Sequence, residues 1–172
     1  GRDGVTDLRV VTTPVPAAPR PTGDARSGLP AADAPEGDCP PVVASHTDAD
    51  FTGGSFVAQA GFVESEIAAA SYTLAPGDFP IRLDLAEMIF VTSNATVETT
   101  TEWSLLVWQG TPVDGTIVAE VSSDGELLPH IVMPPGTTGV NVQVLVDPDD
   151  PEQIVIQDDG SATFTIGYRI DA

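Results

Sequence analysis

The sequence predicts an all-β protein, an antiparallel sandwich or barrel, preceded by an extended proline-rich N-terminal arm. Three observations predict it. Across residues 42–172, short runs rich in Val, Ile, Thr and aromatic residues are separated by Gly, Pro and Asp clusters. No run sustains the 3.6-residue apolar period of a helix; the nearest, Val63 to Ala70, leads directly into the β-prone Ser71-Tyr72-Thr73-Leu74. The first 41 residues hold eight of the sixteen prolines, so composition shifts near Pro41 and the chain divides into an arm, 1–41, and a body, 42–172.

The arm is close to neutral, with four arginines against Asp3, Asp7, Asp24, Asp33, Glu36 and Asp38. Such a segment buries too little apolar surface to order itself, and is extended or disordered alone. One stretch differs. Residues 5–12, Val5-Thr6-Asp7-Leu8-Arg9-Val10-Val11-Thr12, are β-prone and free of proline. Val5, Leu8, Val10 and Val11 are the apolar residues with which this stretch would add to a sheet edge, either of its own domain or, in the assembly reading, of a neighbouring subunit. Cys39 is the only cysteine, which excludes an intrachain disulfide and leaves a crosslink between chains or a covalent attachment point as its functional readings.

In the body, strands are expected at 55–61, 66–74, 81–91, 102–109, 116–122, 126–132, 139–146, 153–157 and 162–170. Phe164, Ile166, Tyr168 and Ile170 alternate with Thr163, Thr165, Gly167 and Arg169, so one face is apolar. Ile81, Leu83 and Leu85 alternate with Arg82 and Asp84 in the same way. Turns fall at Pro76-Gly77-Asp78, Asp114-Gly115, Asp124-Gly125, Pro134-Pro135-Gly136 and Asp158-Asp159-Gly160, where proline presets φ and glycine accepts positive φ. In 102–109, Trp103, Leu105 and Val107 lie on one face and Leu106 and Trp108 on the other. Either the strand is covered on both faces, or one tryptophan is a stacking platform for a glycan.

The net charge of -20 comes from 26 acids and six bases, all arginine. A polyanion without lysine is repelled by nucleic acid and by anionic membrane surfaces. No apolar run reaches the ~20 residues of a membrane-spanning helix. The chain starts at Gly1 rather than Met, which fits a processed chain and an extracellular or cell-surface location.

The body resembles the jelly-roll modules of secreted bacterial surface proteins. Three stretches carry the likeness: Glu66-Ile67-Ala68-Ala69-Ala70-Ser71-Tyr72-Thr73-Leu74 with Phe79-Pro80-Ile81-Arg82-Leu83-Asp84; Glu102-Trp103-Ser104-Leu105-Leu106-Val107-Trp108-Gln109-Gly110 with Gly115-Thr116-Ile117-Val118-Ala119-Glu120; and Ala162-Thr163-Phe164-Thr165-Ile166-Gly167-Tyr168. The acidic, lysine-free style is similar to exported proteins of planctomycete-like bacteria. The resemblance implies a jelly-roll-like antiparallel β-sandwich over residues 55–170, and it supplies no functional residues.

No catalytic set is legible. A hydrolytic triad needs a histidine base, and His46 and His130 stand outside any nucleophile turn. Their separation also gives no zinc spacing. Pairs of carboxylates are guaranteed by 26 acids and identify nothing. Phe51-Thr52-Gly53-Gly54-Ser55 has no lysine to hold a phosphate. Asn94-Ala95-Thr96 fits a glycosylation acceptor, a short pattern that chance also produces. Calcium is the cofactor that the acidic loop would suit, through Asp147, Asp149, Asp150 and Glu152, with Asp48 and Asp50 as a second group. The expectation is a non-enzymatic structural subunit of an extracellular assembly, a homo-oligomer joined through the arm. The alternative is a carbohydrate-binding or adhesion module using Trp103 or Trp108.

Overall fold

The structure, a computed structural model, describes residues 8–15, 43–45, 62–123 and 127–172. Val5, Cys39, His46, Asp48, Asp50 and the expected strand 55–61 lie outside the described residues.

The described chain is all-β, in antiparallel sheets. Its strands are β1 (Leu8–Val15), β2 (Ile67–Thr73), β3 (Ile81–Arg82), β4 (Leu85–Ala95), β5 (Thr99–Thr101), β6 (Trp103–Gln109), β7 (Thr116–Ser122), β8 (Ile131–Met133), β9 (Gly136–Val146), β10 (Val155–Ile156) and β11 (Thr163–Ile170). A single 3-10 turn, Pro76–Asp78, is closed by the Asp78 carboxylate, which accepts from Ala75 N at 3.1 Å.

Two larger sheets form the sandwich. One has the order β1-β9-β4 and the other β2-β11-β6-β7. The two-stranded pairs β3-β10 and β5-β8 supplement them. The core lies where the larger sheets face each other. Ala86, Met88 and Phe90 of β4 and Val142, Val144 and Val146 of β9 meet Trp103, Leu105 and Val107 of β6 and Phe164 of β11. Phe90 bridges the layers, with its ring centroid 5.3 Å from Trp103 in an edge contact and 4.5 Å from Tyr168. Such aromatic pairs add about 0.5–1.5 kcal/mol beyond the area they bury.

Most expected strands appear near their expected bounds; 153–157 shortens to Val155–Ile156, two others differ more, and one strand, β5, was not expected. The run 81–91 breaks into β3 and β4 at Leu83-Asp84, because Leu83 N donates to Ile154 O and Asp84 O accepts from Val146 N, joining different strands. Among the described residues of the expected run 126–132, the strand begins at Ile131. Leu128 before it is buried as an irregular core residue, and His130 is exposed ahead of the strand. β5, a threonine run, has no apolar alternation to announce it. The Asp158-Asp159-Gly160 turn forms as expected, with Gly160 at φ 94° and Asp158 Oδ1 accepting from Gly160 N and Ala162 N.

Candidate assembly surface

Within the described residues, the arm's β-prone stretch forms a strand, Leu8–Val15, which runs past the expected end at Thr12. It pairs antiparallel with β9 of its own chain over eight residues, from Leu8 opposite Val146 to Val15 opposite Gly139. Pro14 does not end it, as the sequence suggested, because β1 is an edge strand and a missing N–H is tolerated there. β4 pairs with the other side of β9, so β1 converts β9 from an edge into an interior strand.

Partners directly opposite share a face of the sheet. Leu8 and Val10 therefore lie with the buried Val146 and Val144, and both are half-buried against the core. Val11 is opposite Gln143 and lies on the other face, also half-buried. Half-burial of one leucine and one valine contributes roughly 1 kcal/mol each. The strand is thus held by main-chain pairing over eight residues and by the half-buried Leu8, Val10 and Val11.

The other sequence-predicted sites do not assemble. Trp103 is 0% exposed and Trp108 4%, so neither offers a ring face to a glycan. The cause is that β6 is covered on both faces: Leu106, on Trp108's side, is 1% exposed. Trp103 is also anchored, its Nε1 donating to Pro129 O at 3.1 Å. The stacking reading is corrected accordingly.

The acidic loop is corrected as well. Asp147 Oδ1 accepts from Asp149 N at 2.8 Å, and Asp150 Oδ1 accepts from Glu152 N at 2.7 Å. Gln153 Nε2 donates to Asp147 O at 2.8 Å and closes the loop from inside. Asp147, Asp149, Asp150 and Glu152 do not converge on a common point; two of these carboxylates fold the turn they stand in. Among the described residues no group of three or more His, Cys, Asp or Glu side chains is arranged to hold a metal ion.

One cluster was not visible from the sequence. On the outer face of the four-stranded sheet, Arg169 Nε donates to Asp171 Oδ1 at 2.6 Å and Arg169 Nη1 meets Glu120 Oε1 at 2.8 Å. Arg169 Nη2 donates to Ser104 Oγ at 3.2 Å, and Ser104 Oγ donates to Asp171 Oδ2 at 2.5 Å. The hydrogen bond that Arg169 donates to Asp171, opposed by partial desolvation and aided by Glu120, holds the guanidinium proton more firmly than usual. The network ties β7, β6 and β11 together and sets one guanidinium between two carboxylates. Its only sequence signal was that Arg169 is one of two arginines in the body.

These features define an all-β sandwich whose N-terminal strand is added at a sheet edge. No protein-family model matches the chain, and neither the curated proteins nor the solved structures hold a significantly similar one.

Proposed function

We propose that the chain is a non-enzymatic structural subunit of an extracellular assembly, such as a filament, sheath or surface array, in which β1 of one copy completes the β9 edge of the next. The observation that carries this reading is the peripheral attachment of β1. It is an edge strand, and residues 16–42, 27 in all, separate it from Val43. A connection of that length can span up to roughly 90 Å. Pairing within the chain and pairing between chains use the same register and the same contacts, so exchange loses no interaction. It competes only with the effective concentration of the tethered strand, of millimolar order for a flexible linker. A crowded surface array reaches that range.

Extracellular placement is supported by the acidic, lysine-free composition and by the resemblance to secreted surface modules. With both tryptophans buried, no observation favours the glycan-binding reading.

A chain lacking residues 1–41 tests the proposal. It is expected to stay folded and monomeric by sedimentation, and to take up a synthetic peptide of residues 5–15. Assembly of the truncated chain like that of the full chain, or refusal of the peptide, would count against the reading.

A further inference from the structure

We propose a second self-association surface: the outer edge of β7 in one copy pairs with the outer edge of β2 in the next. It rests on the assembly reading above and names a further interface of that assembly.

The argument begins with strand direction. The sheet β2-β11-β6-β7 is antiparallel at every junction. With four alternating strands, its two edge strands run in opposite directions. Two copies placed side by side in the same orientation therefore bring β7 and β2 together antiparallel. Such a contact is heterologous and does not close on itself, so it propagates.

The chemistry of the edges agrees. Among the described residues no strand pairs with the outer edge of β2 or of β7. Proteins normally guard such edges with lysine, proline or inward-pointing charge. β2 contains no charged residue and no proline. β7 contains one charge, Glu120, which Arg169 of its own sheet holds at 2.8 Å. In a chain of net charge -20, these are edges along which two copies meet without opposing free carboxylates. Both edges also expose apolar side chains, Ile67 at 46% on β2 and Ile117 at 46% and Val118 at 39% on β7.

One guard is present. Val107 pairs with Ala119 and Trp108 with Ile117, which leaves Val118 as a bulge. The bulge interrupts regular pairing there. It confines the junction to Ala119–Ser122, and antiparallel alignment of Ala119 with Ala70 sets these four residues against Ile67–Ala70. Ala68, Ala69 and Ala70 are small enough to let the backbones approach. A four-residue junction is weak alone and gains strength when subunits are already linked through β1.

The test isolates this edge from strand exchange. In the full-length chain with Cys39→Ser, Val10→Cys and Val144→Cys would lock β1 within its own chain on oxidation at high dilution. Sedimentation velocity of this locked monomer is expected to show association that rises with concentration. Ala69→Glu places a carboxylate opposite Glu120, and Val118→Asp places a further carboxylate beside the junction, so the two altered edges repel rather than complement each other. Both positions are exposed, and circular dichroism checks that each variant folds. Each variant alone is expected to stay monomeric. An equimolar mixture is expected to form heterodimers and nothing larger, because one intact β7 edge meets one intact β2 edge. The proposal is overturned if the parent never associates, if either variant associates like the parent, or if the mixture stays monomeric. Strand exchange is scored separately, by crosslinks between chains at 10 and 144, so either interface can fail alone.

Discussion

Gly167 faces Ala69 on β2 and Leu106 on β6. A Cβ there would come within 2.6 Å of Ala68 O and 2.7 Å of Ala69 Cβ. Gly167→Ala is therefore expected to cost about 1–3 kcal/mol, as overpacking does, measured by urea unfolding; an unchanged midpoint would show that β2 gives way freely. Trp108→Ala is expected to cost about 3–5 kcal/mol, because a buried indole is removed and a cavity remains. At this scale the sequence was partly legible. The two apolar faces of 102–109 could be read directly, but whether Trp108 met solvent depended on what covers it, which spacing does not encode. The Arg169 cluster was illegible for a different reason: Glu120, Ser104 and Asp171 reach it only once the register of three strands is set.

β11 shows how an element's burial becomes a pH dependence. Tyr168 is part of it, and burial raises the phenol above its ordinary value of 10.0. The folded state then disfavours the phenolate. The stabilisation is complete below the unfolded value and is lost as pH rises above 10 towards the raised folded value. Tyr168→Phe is expected to flatten that alkaline limb of the unfolding curve, and an unaltered limb would refute the assignment. β1 makes the complementary point about legibility. Its β-prone composition was readable, yet its end lies at Val15 rather than Thr12, because Pro14 reads as a stop everywhere except at an edge. Its acceptor, β9, could not be named, since pairing across more than a hundred residues is a tertiary fact. Leu8→Asp is expected to weaken β1 docking by about 1–3 kcal/mol, seen as faster hydrogen exchange along β9. Protection equal to that of the parent chain would show that Leu8 is dispensable.

For the whole molecule, charge dominates. With 26 acids and six arginines, self-repulsion opposes compactness, and salt shortens its range from about 30 Å at 0.01 M to about 8 Å at 0.15 M. The melting temperature is expected to rise by a few degrees between these conditions. Calcium and magnesium at equal ionic strength are expected to act alike, because the carboxylates at 147–152 do not converge; a selective calcium shift would contradict this. The fold class was legible because alternation and turn chemistry repeat along the body. Whether copies exchange β1 was not, because a strand on an edge has the same sequence whichever copy it pairs with. That ambiguity is what the central measurement addresses. With Cys39→Ser, Val10→Cys and Val144→Cys, directly opposed in the β1–β9 register, the chain would be oxidised at assembly concentrations and run under non-reducing conditions. Strand exchange predicts a ladder of covalent multimers. A single monomeric band, with both thiols consumed, would contradict it.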